Sequence, residues 1–216
     1  MATSWLTFQA EIRVDLKDTG TTPRYTDEAI FLWAKDAIRD YSGHFPRRID
    51  RVELTLTGGS YALPTDFLQD VEVEYPLNTF LQRRQQRPGS KYSSGVNPTS
   101  YYMSGGKIYV DTDSPPTTIY LTYDGIHPAP TEACDTTFSM TIPAMDEELI
   151  RLYVKSKASE MLRTQQAALD RFKMGSGDRQ DNPLLPEVDT ILREYRNKLA
   201  ERYPGKSIRF WKPNRR

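Results

Sequence analysis

Residues 49–57 read IDRVELTLT, and within them the chain changes period. Val52, Leu54 and Leu56 alternate with polar residues, as a half-buried strand requires, because successive side chains on a pleated backbone point to opposite faces. VEVEY repeats the pattern with Val71, Val73 and Tyr75 against Glu72 and Glu74, whose shared face predicts the solvated side of a strand. TIYLTY, residues 118–123, sets Ile119, Leu121 and Tyr123 on one face. YYMSGGKIYV reads as a hairpin, since Gly105 and Gly106 accept the positive φ its turn needs. Together these runs predict a small antiparallel sheet within a β-rich insertion at about residues 49–130.

On both sides of that insertion the period is helical. Trp5, Phe8, Ile12 and Leu16 mark a first helix, although Ile12, Val14 and Leu16 also alternate as a strand would. Thr26, followed by Asp27 and Glu28, gives the second helix an N-cap and acidic first turn. Its inward stripe is Ile30, Trp33, Ala34, Ala37, Ile38 and Tyr41, with Gly43 placed to end it. From about 145 to 174, Leu149, Leu152 or Tyr153, Ser156, Ser159 or Glu160, Leu162, Leu169 and Phe172 trace a long helix with a polar middle. Val188, Ile191, Leu192, Tyr195 and Leu199 trace another over about 186–203, with Pro186 in its first turn. Two long helices joined by a short linker predict an antiparallel pair. The fold class expected is α+β: a helical bundle of two N-terminal and two long C-terminal helices, carrying an inserted small antiparallel β-sheet. It forms a single domain over 1–203, with an extended C-terminal arm over 204–216.

Composition narrows the function. With 29 basic and 29 acidic residues the chain has no net charge, so a wrapped nucleic-acid role would have to be local. The single cysteine, Cys134, cannot build a disulfide framework or a cysteine zinc site. No apolar run approaches the roughly 18 residues that span a bilayer, and Glu11 interrupts the N-terminal apolar stretch, so neither a membrane anchor nor a signal peptide is expected. His44 and His127 lie far apart and read as surface or packing residues. Phosphate-loop and dinucleotide glycine motifs are absent from the sequence. Asp66, Asp70, Glu72 and Glu74 could be imagined as a cation site, but strand carboxylates are commonly just a solvated face. No enzyme activity, cofactor or metal is therefore expected.

Two segments invite a partner. The stretch from Asn78 to Thr99 is polar, with glycine and proline, and carries Arg83, Arg84, Arg87 and Lys91 among glutamines. It reads either as a solvated loop or as a phosphate-contacting, DNA-facing one. The C-terminal PGKSIRFWKPNRR breaks from its helix at Pro204 and Gly205 and sets Ile208, Phe210 and Trp211 among cations. Either a partner covers those anchors, or they fold back on the chain's own helices.

Three stretches, RYTDEAIFLWAKDAIRDYS, YALPTDFLQDVEVEY and IYLTYDGIHPAP, together with the order of elements, resemble the head-to-tail adaptor (connector, or head-completion) proteins of tailed bacteriophages. The loop at 78–99 and the length of the arm depart from that pattern. The resemblance implies a structural virion protein, made in the host bacterial cytoplasm and resident at the head–tail junction. It implies a homo-oligomeric ring of about twelve copies that joins the capsid portal to the tail. Expected partners are then the portal protein, further copies of the chain, a downstream tail or stopper protein, and double-stranded DNA passing through the lumen without sequence-specific contact. It also implies that the arm, through Ile208, Arg209, Phe210, Trp211 and Lys212, is the portal contact. A nucleic-acid-binding accessory protein, acting through the basic loop and arm, is the alternative.

Overall fold

The computed structural model describes residues 3–84, 98–112, 114–173 and 185–202. The chain forms two compact units, residues 1–44 with 128–216, and residues 45–127.

The first unit is helical. Helix α1, Trp5–Asp15, starts at Ser4, whose side chain accepts from the Thr7 amide, and buries Trp5, Phe8, Gln9 and Ile12. Helix α2, Asp27–His44, is capped by the Thr26 hydroxyl, which accepts from the Ala29 amide. It buries Ile30, Ala34, Ala37, Ile38 and Tyr41, and also Phe31, while Trp33 is half-buried against the edge of Tyr25. The helix does not stop at Gly43 but runs through it to His44.

Helix α3, Glu147–Lys173, and helix α4, Leu185–Arg202, pack on each other. On α3 the buried line is Leu149, Ile150, Val154 and Ala158. On α4 it is Ile191, Tyr195 and Leu199. The acidic start of α3 meets the basic end of α4: Lys198 binds Glu148, and the Arg202 Nε lies 3.2 Å from Asp146. This antiparallel arrangement also places each charge where its helix dipole favours it.

The second unit is a sheet of seven strands: β1 Arg47–Thr57, β2 Ser60–Ala62, β3 Phe67–Glu74, β4 Gln82–Arg83, β5 Ser100–Ser104, β6 Lys107–Val110 and β7 Thr118–Gly125. Their order is β3-β7-β1-β2-β6-β5-β4. Gly58–Gly59 and Gly105–Gly106, all at positive φ, make the β1–β2 and β5–β6 turns. The two ends of this order nearly meet: Glu74 on β3 bridges Phe80 just before β4, and the Leu81 amide donates to the Val73 carbonyl. A barrel-like sheet results, enclosing Leu54, Tyr61, Val73, Leu81, Tyr101, Ile108, Ile119, Leu121 and Tyr123.

This corrects the expected fold class. The chain is not a helical bundle with a small inserted antiparallel sheet; its described residues form four helices and a seven-stranded, nearly closed sheet with its own core. Nor is the sheet wholly antiparallel, because β4 pairs parallel to β5. Period-two runs reveal individual strands but carry no information on closure, and β4 comes from the polar stretch read as loop.

Candidate functional site

The basic stretch after Asn78 begins inside the sheet. The turn that leads into it is held by Glu74, which is 2 % exposed: one carboxylate oxygen accepts from the Asn78 amide at 2.8 Å, and the other lies 3.3 Å from the Arg51 Nε. Glu74 is thus buried, not solvated as the alternation predicts. A bulge between Asp70 and Glu72 shifts the alternation by one position, so that Asp70 and Val73 are both buried, while Glu74, opposite Val73, is covered by Arg51 and the turn at Asn78.

Arg83, on β4, donates to one oxygen of Asp70 while the Tyr101 hydroxyl donates to the other. Burial, reinforced by the neighbouring Asp70 carboxylate, pushes the Tyr101 phenol well above its usual range, so it remains a donor. Arg84 lies 3.7 Å from Asp111, which also accepts from the Ser100 hydroxyl. The structure therefore places two of the four predicted cations, Arg83 and Arg84, on neighbouring residues of β4 and its exit, each facing a carboxylate of the sheet. Arg87 and Lys91 lie outside the described residues, as do Ile208, Arg209, Phe210, Trp211 and Lys212 of the arm.

The acidic group weighed as a cation site does not converge. Asp66 accepts from the Tyr123 hydroxyl, Asp70 holds Arg83 and Tyr101, and Glu74 holds Asn78 and Arg51. Among the described residues no group of three or more histidine, cysteine or carboxylate side chains is arranged to hold a metal ion. No helix there is long and apolar enough to cross a membrane.

In the helical unit the organising acid is Asp135, which composition alone gave no reason to single out. Its two oxygens accept from the amides of Thr131, Thr137 and Phe138 and from both threonine hydroxyls. These donors hold its carboxyl well below the usual carboxylate range. The knot shapes the segment that receives Trp5: its indole donates to the Ala133 carbonyl at 2.7 Å, and its amide donates to the Phe138 carbonyl. The Asp-x-Thr pattern at 135–137 is the signal that could have flagged this loop. Helix α1 is further tied to α3 by Arg151, which reaches Glu11 and Asp15.

Between α2, α3 and α4 lies a groove of about 710 Å³. Asp40 accepts there from the Tyr195 hydroxyl, and burial beside that carboxylate raises the Tyr195 phenol far above its usual range. Near its end the Asp146 carboxylate gathers two helices, accepting from the Tyr41 hydroxyl of α2 and pairing with Arg202 of α4.

In both units, then, the converging polar side chains fasten strands and helices to one another. That is the chemistry of an internal structural framework. The chain belongs to the SU10 adaptor protein family, whose model matches residues 3–187. As a member it is a phage structural adaptor and a virion component. No curated protein matches the chain.

Proposed function

We propose that this adaptor assembles as a homo-oligomeric ring at the head–tail junction, joining the capsid portal to the tail and continuing the DNA channel. The observation that carries the reading is the family match over residues 3–187. Helices α3 and α4 suit a ring subunit's scaffold, because their buried residues lie on one stripe and the remaining faces carry charges of both signs against which a neighbouring copy packs. The arm over 204–216 supplies the portal contact, with Ile208, Phe210 and Trp211 as apolar anchors and Arg209 and Lys212 as charge partners. Burying Phe210 and Trp211, about 200 Å² each at roughly 25 cal/mol per Å², offers several kcal/mol per copy before ordering costs, and a ring repeats it.

The alternative, a DNA-binding accessory protein, is weakened by the pairing of Arg83 with Asp70 and of Arg84 with Asp111, which leaves those cations less to offer a phosphate. Mixing the chain with its portal protein, then imaging and weighing the product, tests the reading. A ring seated on the portal is expected, with little intrinsic DNA affinity at physiological salt. A chain that ignores portal and binds DNA with a steep salt dependence would overturn it.

A further inference from the structure

The groove between α2, α3 and α4 has a feature its helices do not need. Gly43 lies inside α2, its φ is outside the left-handed region, and a Cβ placed on it would meet nothing within 4 Å. A glycine within a helix weakens it relative to alanine, and here neither turn geometry nor close packing demands one. What it does is leave the groove open. The wall it faces is aromatic and aliphatic, from Tyr153, Leu192, Tyr195 and Leu199, with the Asp36 and Asp40 carboxylates on the α2 side. Arg39 and Arg196 line it too, so charge alone would not retain a cationic segment, and the apolar wall has to carry the contact.

The chain supplies such a segment close by. Tyr41, two residues before Gly43, and Arg202, the last described residue of α4, share the Asp146 carboxylate. The last described residue of α4 therefore stands beside the end of the groove, and in the sequence Pro204 and Gly205, turn formers, follow at once. Leu192 stands about 15 Å back along α4 from Arg202, at 1.5 Å per residue, while the chain from Arg202 to Trp211 spans up to about 30 Å. A reversal at Pro204–Gly205 would leave enough chain for Ile208, Phe210 and Trp211 to reach that wall.

We propose that in the unassembled subunit this groove is the seat of the chain's own C-terminal segment, with Phe210 and Trp211 against Tyr153, Leu192 and Tyr195. The seat goes beyond the assembly reading and is independent of it, because it is occupied without portal. It would keep large apolar side chains covered until a partner competes for them.

The test uses the full chain with Cys134→Ser and Lys212→Cys, the new thiol carrying a short photo-cross-linker, at a dilution where subunits are single. Cross-links mapped by mass spectrometry should fall on groove residues of the same chain. Gly43→Phe, which fills the groove from the α2 side, should cut their yield at least fivefold without lowering the melting temperature. Should that variant fail to fold, the double change Phe210→Ala and Trp211→Ala should give the same loss. Cross-links scattered over the surface and indifferent to these changes would overturn the proposal. So would cross-links found only between chains and rising with concentration, which would make a neighbour's segment the occupant.

Discussion

Gly125 ends β7 in a space that admits no side chain. A Cβ there would lie 3.0 Å from the Ile49 Cδ1, 3.0 Å from the Tyr123 ring and 3.1 Å from the Asp66 carbonyl oxygen. The backbone oxygen cannot retreat as a side-chain tip can, so Gly125→Ala should destabilise the sheet by about 1–3 kcal/mol, read as a lower melting temperature. Two residues on, His127 is buried, with its Nε2 3.1 Å from the Phe45 carbonyl. Burial pulls its pKa below the ordinary 6.5, against the opposing effect of that hydrogen bond and with help from the Arg47 charge. The folded state thus favours the neutral ring, and on acidification the unfolded chain takes up the proton first. This contribution to stability is complete above pH 6.5 and is lost as pH falls from there through the folded pKa. Melting temperature should therefore decline on acidification below about 6.5, and less steeply in His127→Gln.

Among the elements, β4 is short, yet it brings the sheet close to closure, and the Arg83–Asp70 contact fastens it. Arg83→Ala would leave the buried Asp70 with Tyr101 as its remaining hydrogen-bond donor in the contacts described above. A loss of about 1–3 kcal/mol is expected, toward the lower end because water screens an exposed guanidinium. Arg87→Ala with Lys91→Ala should leave the melting temperature unchanged while weakening assembly or genome retention, if those cations serve a partner. A drop in melting temperature from that pair would assign them to the sheet instead. The contrast explains what was legible in the sequence. Ile119, Leu121 and Tyr123 were readable because β7 is regular and alternation reports its buried face. Glu74 was misread as solvated because the turn at Asn78 and the Arg51 side chain, neither signalled by alternation, cover it. The charge of Arg83 and Arg84 was legible, but its neutralisation was not, since Asp70 and Asp111 are brought to them by strand pairing between distant segments. On α3, Ile150, Val154 and Ala158 carry the burial where Leu152 and Leu162 are half-buried, because a mixed helix offers several stripes and the packed neighbour selects one.

For the whole molecule, the arm is where composition spoke without geometry, since its residues lie outside those described. Removal of residues 204–216 should abolish portal attachment while the subunit remains folded, because they follow the last helix. Trp211→Ala should weaken attachment at any ionic strength, as lost apolar burial does. Arg209→Ala should matter less as salt rises and screening shortens the reach of its charge. If truncation lowers thermal stability more than portal attachment, the arm belongs chiefly to its own subunit. The sheet unit carries a different consequence. His127 faces the Phe45 carbonyl, and Arg47 pairs with Gly125, so the polypeptide enters and leaves this unit at adjoining points. A fragment of residues 45–127 should accept head-to-tail cyclisation through a short peptide, and the circle should melt higher than the linear fragment because joining the ends lowers the entropy of the unfolded chain. The same adjacency means the unit can be excised as one piece with two backbone cuts and no change of register in its sheet.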